Sequence, residues 1–152
     1  MGDIGSNNKY PYNSLSNFSP HPFTIDGVLC NSMEGFLQSL KFKNPEMQKE
    51  VCLLVGKQAK FKGKHKKWYK SQTLYWQGKE YKRDSNEYQE LLDKAYTEIY
   101  NNESFREALK KTKGILTHSM GKKKMNETVL TEKEFCSRLM KLREGGCLWK
   151  DI

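Results

Sequence analysis

The chain has 152 residues and a formal net charge of +9, from 27 Lys and Arg against 18 Asp and Glu. This length fits one domain with a core large enough to hold a defined pocket. No run of about 18 apolar residues occurs, and MGDIGSNNKY lacks the apolar segment of a secretory signal. We therefore expect a cytoplasmic protein without a membrane partner. The lysine excess attracts nucleic acids, nucleotides or phosphosugars, and charge alone does not choose among them.

The first predicted element is a short hairpin or an extended entry to the next helix. SNFSPHPFTIDGVLCNS contains aromatic and β-branched residues interrupted by prolines, and Asp26-Gly27 is a hairpin turn signal. The stretch NSMEGFLQSLKFK, residues 31–43, then predicts a helix capped by Asn31 or Ser32.

Lysine dominates the middle of the chain. A helix with Pro45 at its first position is expected to stop near Gly56. KQAKFKGKHKKWYK, residues 57–70, follows it. This run is either a solvated basic face or loop, or a nucleic-acid or phosphate contact whose interleaved aromatic residues stack on bases. TLYWQGKEY then predicts a strand pair or a loop.

The second half reads as three helices and one short strand. DSNEYQELLDKAYTEIY begins with a capping-box pattern, Asp84 with Glu87, and NESFREALKKTKG is a second helix ended by a glycine. ILTHS is a strand candidate, and TEKEFCSRLMKLREGG opens with another capping box, Thr131 with Glu134. The whole pattern predicts a single, mainly α domain of the α+β class with a few short β elements.

The cysteines and histidines show no metal-binding spacing. The four cysteines are far apart and form no CxxC pair, and the three histidines are scattered. We expect free thiols in a reducing compartment, with neither a metal nor a cofactor.

One polar triad lies beside the apolar stripe of the helix predicted at 31–43. Glu34, Gln38 and Lys41 recur at i, i+4 and i+7, so their side chains fall within about 40° to 60° of one another on a helix. They form either an ordinary polar boundary or a set of groups that converge on a ligand. The later LTHSMGKKK is a possible phosphate-binding turn, although it lacks the glycine spacing of a P-loop.

Four segments together resemble the NADAR family, also called YbiA-like. They are LSNFSPHPFTIDG, SMEGFLQSLKF, YWQGKEYKRDSNEYQELLDKAY and LTHS…NETVLTEKEFCSRLMKLRE. The resemblance covers residues 13–144 and implies a compact, mainly helical YbiA-like domain at 13–145. Residues 1–12 and 146–152 are then expected to be terminal tails.

The resemblance also implies an enzyme that hydrolyses N-glycosidic bonds on ribosyl groups. One branch of the family acts on phosphorylated ribosylamino-pyrimidine intermediates of riboflavin synthesis. Another removes ADP-ribose from guanine bases in DNA or in free nucleotides. We favour the second activity, with an ADP-ribose-containing nucleotide or ADP-ribosylated DNA as partner. A binder of ADP-ribose-like nucleotides or nucleic acid without chemistry is a third possibility.

By the same resemblance, Glu34 matches the catalytic glutamate and Lys41 the lysine of the family's Q..KF motif, with Gln38 between them. The carboxylate stabilises positive charge that develops on the sugar. Lys41 is either a phosphate anchor or an amine nucleophile on an opened ribose. The other substrate-binding candidates are Asn17, Phe18, Trp76, Arg83, His118 and Ser119.

Among these candidates, a tryptophan is expected to stack on the base; Trp76 is the first choice and Trp68 the second. Arg83 is expected either to pair bidentately with a phosphate or to form an exposed ion pair. The chain departs from the family pattern after the late histidine, where HSMGKKKMNETVLTE replaces an acidic, glycine-containing segment. Glu127 is the nearest acid, which leaves any second catalytic carboxylate open. The lysines favour an anionic substrate such as ADP-ribose on a nucleotide or DNA.

Overall fold

A computed structural model describes residues 2–145 and residue 148. The helices of this part of the chain are α1 Met33–Ser39, α2 Pro45–Cys52, α3 Gly56–Lys64, α4 Trp68–Ser71, α5 Asn86–Ile99, α6 Glu103–Lys110 and α7 Glu132–Gly145, with a 3-10 turn at Met125–Glu127. The strands are β1 Gly2–Asp3, β2 Phe23–Ile25, β3 Val28–Cys30, β4 Thr73–Trp76, β5 Lys79–Lys82 and β6 Leu116–Thr117. The mainly helical prediction is confirmed.

The strands form three two-stranded sheets. β2 pairs antiparallel with β3, β4 pairs antiparallel with β5, and β1 pairs parallel with β6. Asp26 (φ 50°) and Gly27 (φ 78°) make the left-handed turn of the first hairpin, as their sequence predicts. Gln77 (φ 46°) and Gly78 (φ 90°) make the same kind of turn between β4 and β5. Both predicted strand pairs are therefore present.

Side-chain caps fix where the helices begin. Ser32 Oγ accepts a hydrogen bond from Gly35 N at 3.0 Å, so Ser32 rather than its neighbour caps α1. At α7, Thr131 and Glu134 exchange the two hydrogen bonds of a capping box, which confirms that prediction.

Four predicted helix boundaries are wrong by a few residues. α6 ends at Lys110 and not at the predicted glycine, Gly114. α5 is capped by Ser85, whose Oγ accepts from Tyr88 N, and not by the preceding aspartate. α2 ends at Cys52, and Gly56 begins α3 with φ 57° instead of ending α2. α1 ends at Ser39, before the lysine of the polar triad.

The amino-terminal segment that we expected to be a tail has a defined place in the fold. Gly2 and Asp3 pair with Leu116 and Thr117, and Ile4 is fully buried. The predicted carboxyl-terminal tail at 146–152 lies outside the described residues except for Leu148, which packs partly buried against the core. No helix in the described part of the chain is long and apolar enough to span a bilayer.

Candidate active site

A cavity of about 270 Å³ lies beside α1 and is also lined by residues from the loop after β6 and from the segment before α7. Glu34, Gln38 and Lys41 all line it. The three side chains of the predicted polar triad therefore face one concave space. This arrangement favours a set of groups that converge on a ligand over an ordinary polar boundary of the helix.

Two hydrogen bonds position Glu34, one made by its backbone and one by its carboxylate. Its backbone N donates to Asn17 O at 2.9 Å, which ties the first turn of α1 to the preceding loop. Gln38 Nε2 donates to Glu34 Oε2 at 2.7 Å, one turn along the helix. Gln38 is only 7% exposed, so this hydrogen bond is largely shielded from water.

Lys41 reaches the cavity from a turn and not from the helix, contrary to the prediction of a helix running through it. α1 ends at Ser39, and Lys41 N donates to Gln38 O at 3.1 Å in a tighter turn. This turn keeps the ammonium on the same side of the chain as Glu34, and the two charges interact.

Burial shifts the pKa values of the acid and the amine toward each other. It raises the pKa of Glu34, although the hydrogen bond from Gln38 and the charges of Lys41 and Lys60 oppose this shift. Burial also lowers the pKa of Lys41; Glu34 opposes this shift, and Lys122 and Lys60 add to it. Each shift moves the group toward its neutral form. Shifts of this kind are typical of sites that carry out proton transfer and amine chemistry.

Because burial raises the pKa of Glu34, its ionised carboxylate lowers the free energy of unfolding at neutral pH, and a neutral side chain at this position should increase it. A group whose pKa is higher in the folded than in the unfolded state loses its stabilising contribution as pH rises through the folded pKa. We expect Glu34→Gln to melt at a higher temperature than the wild type at pH 7 to 8. The difference should shrink below about pH 4, where the unfolded carboxyl is itself protonated. Thermal melts across this pH range test it, and a lower melting temperature at neutral pH would contradict it.

Helix α3 packs against Gln38 through a glycine. Gln38 Oε1 lies against Gly63, and a Cβ atom at that position would overlap it. Because the overlap is with the end of a flexible side chain, the amide is expected to swing away at little cost in stability. Such a movement breaks its hydrogen bond to Glu34.

Gly63→Ala is therefore expected to lower turnover by about tenfold or more while the melting temperature changes little, since the helix itself gains about 1 kcal/mol from alanine. Gly145→Ala is the matched control, because Gly145 is also helical and its added Cβ meets no atom within 4 Å. Equal activity of the two variants would show that Gln38 does not position the carboxylate.

Four further predicted residues lie at the cavity: Asn17, Phe18, His118 and the second-choice Trp68. The Tyr96 hydroxyl donates to Asn17 Oδ1 at 2.8 Å and fixes that amide. His118 Nδ1 lies 2.8 Å from Ile4 O; because a carbonyl only accepts, this nitrogen carries the proton and Nε2 is left as an acceptor in the neutral ring.

The other three candidates are not brought to the cavity. The Trp76 indole packs edge-on against Phe36, with ring centroids 4.9 Å apart, and its Nε1 donates to Asp26 Oδ2 at 2.8 Å. Arg83 forms a buried bidentate pair with Glu134, at 2.6 and 3.0 Å. Ser119 Oγ donates to the carboxylate of Asp3 at 2.8 Å. These groups support the fold around the site.

The cavity also contains residues that were not among the predicted site residues. Lys60 and Lys122 line it together with the exposed Met120, and Glu127 supplies a second carboxylate. A helical reading of residues 57–70 would have found Lys60, because Lys57, Lys60, Phe61 and Lys64 then share one face. Lys122 comes from an irregular loop, for which periodicity gives no signal, although it belongs to LTHSMGKKK, the segment noted above as a phosphate-binding turn candidate.

Comparison with known proteins places the chain in a family. A family model described as bacteriophage protein GP30.3 matches residues 9–144. The chain belongs to the GP30.3 family. This GP30.3 family member is 38% identical over 147 residues to an uncharacterized 17.1 kDa protein from the Gp30-rIII intergenic region of Enterobacteria phage T4, covering 94% of this chain and 97% of that one.

The predicted YbiA-like fold is also confirmed. The NMR structure of YbiA from E. coli superposes on this GP30.3 family member with a TM-score of 0.60, covering 95% of this chain and 82% of that chain. The two sequences are 17% identical, so this similarity is one of fold.

Proposed function

We propose that this protein is an N-glycosyl hydrolase that removes ADP-ribose from guanine bases. The observation that carries the proposal is that Glu34 and Lys41 line one cavity. Burial there raises the pKa of Glu34 and lowers the pKa of Lys41. A binding module gains nothing from a carboxylate next to an anionic ligand, which it repels. A hydrolase uses that carboxyl group as an acid and a base.

The proposed chemistry divides the work between these two side chains. The Glu34 carboxyl gives its proton to the ring oxygen as the ribose opens, and the neutral Lys41 amine adds to the anomeric carbon. The bond to the guanine nitrogen then breaks, and guanine leaves with a proton from the lysine nitrogen, relayed by Glu34. Water adds to the resulting imine, the amine is released and ADP-ribose closes its ring.

The lysines around the cavity support ADP-ribose as the leaving group over a less charged sugar. Lys60 and Lys122 line the cavity beside Lys41, and a diphosphate supplies the negative charges that these ammonium groups attract. Trp68, which is 8% exposed, presents an aromatic surface for a base at the same site.

A comparison of two substrates tests the proposal. Purified protein is incubated in parallel with ADP-ribosylated guanosine monophosphate and with a phosphorylated ribosylamino-pyrimidine, and kcat/KM is measured for release of each base. We expect a clear preference for the ADP-ribosylated nucleotide. A preference for the pyrimidine substrate would assign the protein to the riboflavin-intermediate activity. Binding of either substrate without cleavage of its N-glycosidic bond would show that the protein is a binding module.

A further inference from the structure

A wide groove continues outward from the cavity. It has a volume of about 820 Å³ and runs from Glu34 and Lys41 along α3 and α4 to the loop at residues 5–7. The cavity and the groove share several lining residues, Glu34, Gln38 and Lys41 among them, so the cavity opens into a larger surface groove.

The groove is strongly positive. Two carboxylates line it, Glu34 and Glu127, against six lysines: Lys41, Lys57, Lys60, Lys64, Lys66 and Lys122. Four of these lysines belong to α3 or to the turn that follows it, within the run of residues 57–70. An excess of ammonium groups along a groove attracts the charged phosphates of a phosphodiester backbone.

Two exposed aromatic side chains lie among these lysines. Phe61 is 57% exposed and Tyr69 is 51% exposed, and both line the groove. The Lys64 ammonium lies 5.4 Å from the centroid of the Phe61 ring. Aromatic rings set among ammonium groups are the usual platform on which unpaired bases stack.

Packing fixes which face of α3 is presented. Ala59 and Gly63 are buried, and Gly63 lies against Gln38 of α1. The opposite face carries Lys57, Phe61 and Lys64, spaced at i, i+4 and i+7. The helix is therefore held with its basic and aromatic face toward the groove.

We propose that this groove binds a single strand of nucleic acid, with its phosphates on the lysines and its bases stacked on Phe61 and Tyr69. A base paired within a duplex cannot reach a carboxyl group inside a cavity, whereas an unpaired nucleotide can enter it. Strand binding stands on the groove alone; delivery of an ADP-ribosylated guanine to Glu34 rests on the function proposed above.

The test measures binding of an unmodified, fluorescent DNA strand of about twelve nucleotides, which lies within the ~4–16 nucleotides that such grooves cover. We expect the strand to bind more tightly than the matching duplex, and log Kd to rise linearly with log salt concentration. Lys57→Gln with Lys64→Gln should reduce that slope by about 1.4, since each phosphate contact on a single strand contributes about 0.7. Phe61→Ala with Tyr69→Ala should weaken binding by about fivefold or more.

Matched controls separate the groove from net charge and general apolarity. Lys113→Gln with Lys141→Gln removes the same charge from exposed positions outside the groove, and Tyr10→Ala removes a ring that is 54% exposed elsewhere. The proposal is overturned if these controls weaken binding as much as the groove variants, if the duplex binds as tightly as the strand, or if no binding occurs at low salt. Because the probe carries no ADP-ribose, it reports on strand binding even in a protein that proves inactive as a hydrolase.

Discussion

Glu34→Gln is expected to lower turnover of ADP-ribosylated guanine by about a hundredfold or more, because general acid–base catalysis contributes about 10² to 10⁴-fold. The substitution removes a charge and a transferable proton but hardly any volume. The hydrogen bond from Gln38 can still be accepted by the new amide oxygen, so the cavity keeps its shape. Binding of free ADP-ribose, measured by calorimetry, should survive.

Glu46→Gln serves as the control for this variant, since Glu46 is an exposed carboxylate on α2. It should retain wild-type turnover. Full activity in Glu34→Gln, or loss of both turnover and ADP-ribose binding, would contradict an acid–base role for the carboxyl group.

Lys41→Arg is expected to abolish turnover and to abolish a covalent adduct as well. Borohydride added during wild-type turnover should reduce the imine and leave ADP-ribose attached to Lys41, which peptide mass spectrometry locates. Arginine keeps the positive charge but forms no such imine, so it separates nucleophilic chemistry from phosphate anchoring.

The matched control is Lys43→Arg, an exposed lysine two residues along the chain. It should retain both turnover and the adduct. If Lys41→Arg keeps substantial turnover and the wild type gives no adduct, Lys41 anchors the substrate and the nucleophile is water.

Local chemistry was enough to predict part of this structure. Asp26-Gly27 specifies a hairpin turn, and Thr131 with Glu134 specifies a capping box, because the partners are neighbours in sequence. Glu34 and Gln38 could be placed on one face of α1 for the same reason, since one helical turn separates them.

Choices that depend on distant partners could not be made in this way. Arg83 is withdrawn from the cavity by Glu134, 51 residues later, and Trp76 by Asp26, 50 residues earlier. A sequence motif shows that an arginine or an indole is present but does not show which group in the folded chain will satisfy it. Lys122 likewise reaches the cavity through an irregular loop.

The most direct measurement of the central claim is release of ADP-ribose from a single DNA strand that carries one ADP-ribosylated guanine. Both products are followed by mass spectrometry, with wild type and Glu34→Gln side by side. The proposed function predicts free ADP-ribose and a strand restored to unmodified guanine in equal amounts with the wild type, and almost none with the variant. A strand that stays modified with the wild type, or one that loses its guanine together with the ADP-ribose, would contradict it.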